Sequence, residues 1–143
     1  MQDEVNDLFK RYERLTNEAL ANEPDLDALG HLYTCEFIAS APGGVRTGQK
    51  DDKFKKMLTS GFAYNREIGT QRMNVMNVKV EPIDDMHALV TVDWRATYDI
   101  EKTTKKIEFT NAYLVRVENG EAKVFGWITG DEQAELREHG IID

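Results

Sequence analysis

The stretch KIEFTNAYLVRVENGEAKVFGW, Lys106–Trp127, decides how the chain is read. Ile107, Phe109, Tyr113, Val115 and Val117 recur at period two, the spacing of a strand that buries one face. Asn119-Gly120 then supplies two residues that accept the positive φ of a type I′ turn, so a second strand must return beside the first. A two-residue turn there predicts pairing of Glu118 with Glu121, Val117 with Ala122, Val115 with Val124, Tyr113 with Gly126 and Asn111 with Ile128. Gly126 would then leave room beside the Tyr113 ring. Asn111 is the anomaly, a carboxamide in the middle of an aromatic and aliphatic face.

Upstream, the chain from Met73 to Gly130 is β-rich, with turns expected at PIDD, EKTT and NG. Matching apolar to apolar places Val90, Val92, Trp94, Ala96 and Tyr98 on one face with Phe109, Asn111, Tyr113 and Val115, and Met76, Val78 and Val80 extend it. The opposite face carries Asp93, Arg95, Leu114, Phe125 and Trp127. Before the strands the period is helical. Val5, Leu8, Phe9, Tyr12, Leu15, Ala19 and Leu20 form one stripe, and Asp3 and Glu4 suit the positive end of its dipole. DLDALGHLY reads as a short helix capped by Asp25, YTCEFIAS as a strand, and APGGVRTG as a turn. QKDDKFKKMLTSGFAYN reads as a third helix, and DEQAELREHG as a short closing helix from Asp131 to Gly140. Helices followed by an antiparallel meander predict an α+β fold, residues 1–143 forming one domain, with the helices packed over the inner face of the sheet.

The chain has 143 residues, enough for a core without disulfides or metal. One cysteine, Cys35, and an acidic, amphipathic start without a signal-like apolar run point to the cytoplasm. A formal net charge of −8 argues against nucleic acid and is compatible with a neutral or cationic ligand. No run is long and apolar enough for a membrane span. HExxH, CxxC, GxGxxG, Walker and GxSxG patterns are all missing, so no metal, cofactor or serine nucleophile is expected.

The order long helix, short helix, LYTCEFIASAPGGVRTGQKDDKF, then a meander holding VTVDWRATY and NAYLVRVENGEAKVFGW resembles the NTF2-like superfamily. That superfamily includes the SnoaL-like polyketide cyclases, ketosteroid isomerase, scytalone dehydratase and limonene epoxide hydrolase. The resemblance implies a cone in which a curved, mostly antiparallel sheet wraps three N-terminal helices and a short C-terminal one. It also implies a pocket between sheet and helices, and commonly a homodimer through the outer face. It carries no catalytic set. Where ketosteroid isomerase has its base aspartate, this chain has Ile38, Ala39, Ser40 and Ala41, and its three histidines do not form the set of scytalone dehydratase.

These readings give the candidate residues. Asn111 is either a core amide tying strand to helix or a polar group of a pocket, since leaving it unpaired costs roughly 1–3 kcal/mol. Tyr98, Tyr113, Trp94 and Phe109 would surround it; Tyr33 and Phe37 lie where the family's pocket is often lined. Tyr12, on the inward face of the first helix, is read either as helix packing or as a hydroxyl from the opposite wall. His31 is the candidate base, against a default role at a helix end. Leu114, Phe125, Trp127 and Arg95 are the expected dimer surface. The expected function is binding of a small apolar or weakly polar molecule, the alternatives being a SnoaL-like acid/base isomerase, cyclase or dehydratase, and a homodimeric interaction module.

Overall fold

A computed structural model describes residues 1–143. Helix α1 spans Gln2–Ala21, α2 Leu26–Gly30, and strand β1 Tyr33–Ala41. Strand β2 (Gly44–Gln49), helix α3 (Asp52–Glu67) and strand β3 (Thr70–Pro82) follow. Strands β4 (His87–Ile100), β5 (Thr103–Glu118) and β6 (Glu121–Ile128) and helix α4 (Glu132–Glu138) complete the chain. The six strands form one sheet in the order β2-β1-β6-β5-β4-β3, antiparallel throughout except where β1 runs parallel to β6. This is the α+β arrangement that the sequence predicts.

Side-chain caps fix three of the helices. Asp25 accepts from the Ala28 amide at 3.1 Å, Asp51 from Phe54 at 3.0 Å and Asp131 from Ala134 at 2.9 Å, each satisfying a backbone donor that the first turn would otherwise leave unpaired. Helix α1 buries Val5, Leu8, Phe9, Leu15 and Ala19 against the sheet. Its polar flank covers the edge strand β3: the Asn17 amide exchanges two 2.8 Å bonds with the Met73 backbone. Arg66 of α3 donates to the Ala19 carbonyl at 2.6 Å and ties the end of α1 to α3.

The inner face of the central strands alternates as expected. Ala88, Val90, Val92, Trp94, Ala96 and Tyr98 are all buried, and Val90 opposes Tyr113, Val92 opposes Asn111, and Trp94 opposes Phe109. Asn119 and Gly120 adopt φ of 54° and 76° and make the expected tight turn. Pairing holds from Glu118–Glu121 through Val115–Val124, then slips by one residue.

That slip corrects several expectations. Phe125 is an extra residue in β6, so Gly126 opposes Leu114 and Trp127 opposes Tyr113, and Ile128 opposes Ala112 instead of Asn111. Gly126 does not make room for Tyr113; a β-carbon there would lie 2.9 Å from Ile38 and 3.0 Å from Leu114. Trp127, expected on the outer face with Leu114 and Phe125, is turned to the inner side, where its ring packs 5.4 Å from that of Tyr33 and 5.2 Å from that of Phe37. A second bulge in β3 makes Met76 an exposed extra residue, and Val75 takes the inner position opposite Trp94. Such insertions bend strands locally, which wraps a sheet around helices. GVRTGQ, read as part of a turn, is strand β2, because Pro42-Gly43 suffices to reverse the chain.

Candidate functional site

A cavity of about 410 Å³ lies between the inner face of the sheet and helices α1, α3 and α4. Ligand pockets are typically about 300–1,000 Å³. Its sheet wall is made by Trp94 and Tyr98 of β4 with Phe109, Asn111 and Tyr113 of β5. The paired register and a period of two bring these side chains to one surface. Helix α1 adds Tyr12 and Thr16, α3 adds Phe62, and the segment Gly130–Leu136 closes one end with Glu132 and Leu136.

The polar groups on this wall are ordered by one another. The Trp94 indole N–H donates to the Tyr113 hydroxyl at 3.0 Å, and the Asn111 amide donates to the same oxygen at 3.4 Å. The Asn111 carboxamide oxygen receives no donor from the chain. Tyr33 donates to Tyr12 at 3.0 Å, leaving the Tyr12 proton for another acceptor. Edge-on and tilted ring contacts hold the group, with Phe9 4.9 Å from Tyr113 and Tyr12 5.6 Å from Trp94.

Burial sets the titration of these groups. Withdrawal from water pushes the Tyr12, Tyr33 and Tyr113 phenols well above the ordinary tyrosine range, reinforced for Tyr12 by its neighbour Tyr33 and for Tyr113 by Tyr12. Tyr98 is raised by the same cause. Glu132 is exposed as a whole residue, yet desolvation of its carboxyl raises that group above the usual carboxylate range. Glu132 lines the same cavity as Tyr12 and Tyr98, and its negative charge adds to the upward shift of both phenols.

Asn111, Tyr98, Tyr113, Trp94 and Phe109 therefore share one cavity. Tyr33 and Phe37 do not line it. They join Phe54 and Trp127 in an aromatic cluster on the far side of Tyr12, and Phe37 and Trp127 line a wider, more open groove between α3 and the β1–β2 hairpin. His31 is exposed at the end of α2 and is outside the cavity, so it cannot be the base of this site. On the outer face, Arg95 pairs with Glu108 at 2.6 Å across β4 and β5, Leu114 opposes Leu89, and Phe125 packs 5.9 Å from the His87 ring.

Glu132 is the group that sequence reasoning missed. Helical spacing in DEQAELREHG carries the signal, since positions 132, 135 and 136 share one face and Leu136 is the buried residue of α4. What the spacing does not show is where that face docks.

The family model described as NTF2-like protein (DUF6841) matches residues 3–132. No curated protein sequence matches the chain. Among solved structures, an NTF2-like protein with a cystatin-like fold from Novosphingobium aromaticivorans superposes with a TM-score of 0.71 at 11% identity, over 99% of this chain and 88% of that one. An NTF-2 like protein of unknown function from Shewanella oneidensis gives 0.65 at 15% identity, over 91% and 98%. A ketosteroid isomerase-like protein from Erwinia carotovora atroseptica gives 0.61 at 17% identity, over 90% and 93%. At these identities the likeness is one of fold.

Proposed function

The chain belongs to the NTF2-like protein family DUF6841, and from that premise we propose that it binds a small, largely apolar molecule between sheet and helices. The observation that carries this reading is the 410 Å³ cavity, whose aromatic walls surround a few convergent polar groups, Asn111, Tyr113, Tyr12 and Glu132. Native mass spectrometry of the purified protein tests it, with an expected mass increment from a co-purified compound. Gly130→Trp should abolish that increment, because Gly130 is on the cavity wall and a β-carbon there meets no atom within 4 Å, so a bulky ring can be added at the cavity without a clash at its base. Retention of the same compound by a folded Gly130→Trp variant would place the ligand elsewhere.

A second reading, an acid/base enzyme, is favoured by Glu132 sharing the cavity with Asn111 and with the Tyr12 and Tyr113 phenols. A carboxyl with a raised pKa is suited to proton transfer near neutral pH, and Tyr12 and Tyr113 could donate to an oxygen on which charge develops. The reading predicts that the protein accelerates exchange of the α-protons of 2-tetralone with D2O, and that Glu132→Gln abolishes the acceleration. Equal exchange by wild type and variant would remove Glu132 as a base.

Homodimerisation through the outer sheet face belongs to the same proposal. Leu89, Leu114 and Phe125 supply apolar surface there, flanked by the Arg95–Glu108 pair. Sedimentation equilibrium at micromolar protein should give a dimer mass, and a monomer mass would contradict it.

A further inference from the structure

We infer that the molecule bound in the cavity is an organic monocation, an amine or ammonium group attached to an apolar body, with its nitrogen beside Glu132; this rests on the ligand-binding reading above. Five observations converge on it. The 21 residues lining the cavity include no lysine, arginine or histidine, so nothing on the wall can neutralise a carboxylate or phosphate. The cavity does hold acids, and their engagements differ. Asp131 accepts the Ala134 amide as a helix cap at 2.9 Å, and Glu135 faces His139 at 3.5 Å. Glu132 lines the cavity, and its side chain has neither a hydrogen bond nor an ion pair within the chain. A cationic ligand would give that carboxylate the charge-assisted partner that the chain itself does not supply.

The walls suit the rest of such a ligand. Tyr12, Trp94, Tyr98 and Phe109 line the same cavity as Glu132, and aromatic faces attract an ammonium group through their quadrupoles. The free Asn111 carboxamide oxygen offers an acceptor to an N–H donor. At longer range, the net charge of −8 attracts a cation and repels an anion. An anionic ligand would meet Glu132, Glu135 and Asp131 with no compensating charge.

A matched series of probes with one aromatic body tests the inference: 2-(1-naphthyl)ethylamine, 2-(1-naphthyl)ethanol and 1-naphthylacetate, titrated by calorimetry at pH 7. A charge-assisted contact should favour the amine over the alcohol by about tenfold or more in Kd, and the carboxylate should bind most weakly. In Glu132→Gln the amine should lose its advantage while the alcohol keeps its affinity. That second measurement separates loss of the charge contact from loss of the fold. Equal binding of all three probes would overturn the charge preference and leave the ligand-binding reading standing. Binding led by the carboxylate would overturn it too. Failure of all three to bind at millimolar concentration would overturn both.

Discussion

The Tyr113 hydroxyl accepts from both the Trp94 indole and the Asn111 amide, so a single oxygen holds two polar groups that would otherwise face an apolar wall. Tyr113→Phe should therefore cost about 1–3 kcal/mol in a denaturant titration, the range expected when a buried donor loses its partner. The tyrosines also carry a pH signature. Tyr12, Tyr33 and Tyr113 have folded pKa values raised by burial above the unfolded value of about 10. Below that pH both states keep their protons and stability is unaffected. Above it only the unfolded chain releases them, so stability is lost as pH rises through the window between the two values. Absorbance at 295 nm should show these phenols ionising together with loss of the far-ultraviolet signal of secondary structure; their ionisation in the folded protein near pH 10 would contradict their burial. At this scale Asn111 was legible, because a polar residue breaking a period-two apolar run is visible in the sequence. Glu132 was not, since an acid in an amphipathic C-terminal helix looks like a solvated face until the docking of that helix is known.

Elements declared themselves where local chemistry is strong. The Asn119-Gly120 turn, the aspartate caps and the alternation of β4 all follow from the residue types present. The bulges did not. Phe125 and Met76 are ordinary strand residues, and nothing in a run of alternating side chains marks which one is to be skipped. That one undetected insertion moved Trp127 across the sheet and exchanged Gly126's partner. Gly126 now sits against Ile38 and Leu114, with the Ile38 carbonyl oxygen 3.1 Å from where a β-carbon would be. Gly126→Ala should destabilise the protein by about 1–3 kcal/mol through overpacking, read as a lowered Tm. No change in Tm would show that β1 and β6 are less closely apposed. Strand β2 was missed for a different reason: Gly44 and Gly48 read as turn residues, while in the sheet Gly48 is the position where the Phe37 ring approaches the backbone.

For the whole molecule, the order of elements was enough to reach the α+β layers and the side of the sheet on which the helices pack. The shape of the cavity was not, because it depends on how α3 and α4 dock over the sheet, which is set by long-range packing rather than by any local pattern. The result is an aromatic chamber between layers, with the Asn111 amide and four tyrosines on its walls and one unpartnered carboxylate, Glu132. The chain's two tryptophans distinguish this chamber from the rest of the inner face, since Trp94 lines it and Trp127 belongs to the separate Phe37 cluster. Nitrogen-15 correlation spectra recorded during titration with 2-(1-naphthyl)ethylamine therefore test the ligand site directly. If the chamber holds the ligand, the Trp94 indole N–H and the Asn111 side-chain amide shift together while the Trp127 indole stays in place. Saturable shifts at Trp127 with Trp94 and Asn111 unmoved would put the ligand outside the chamber.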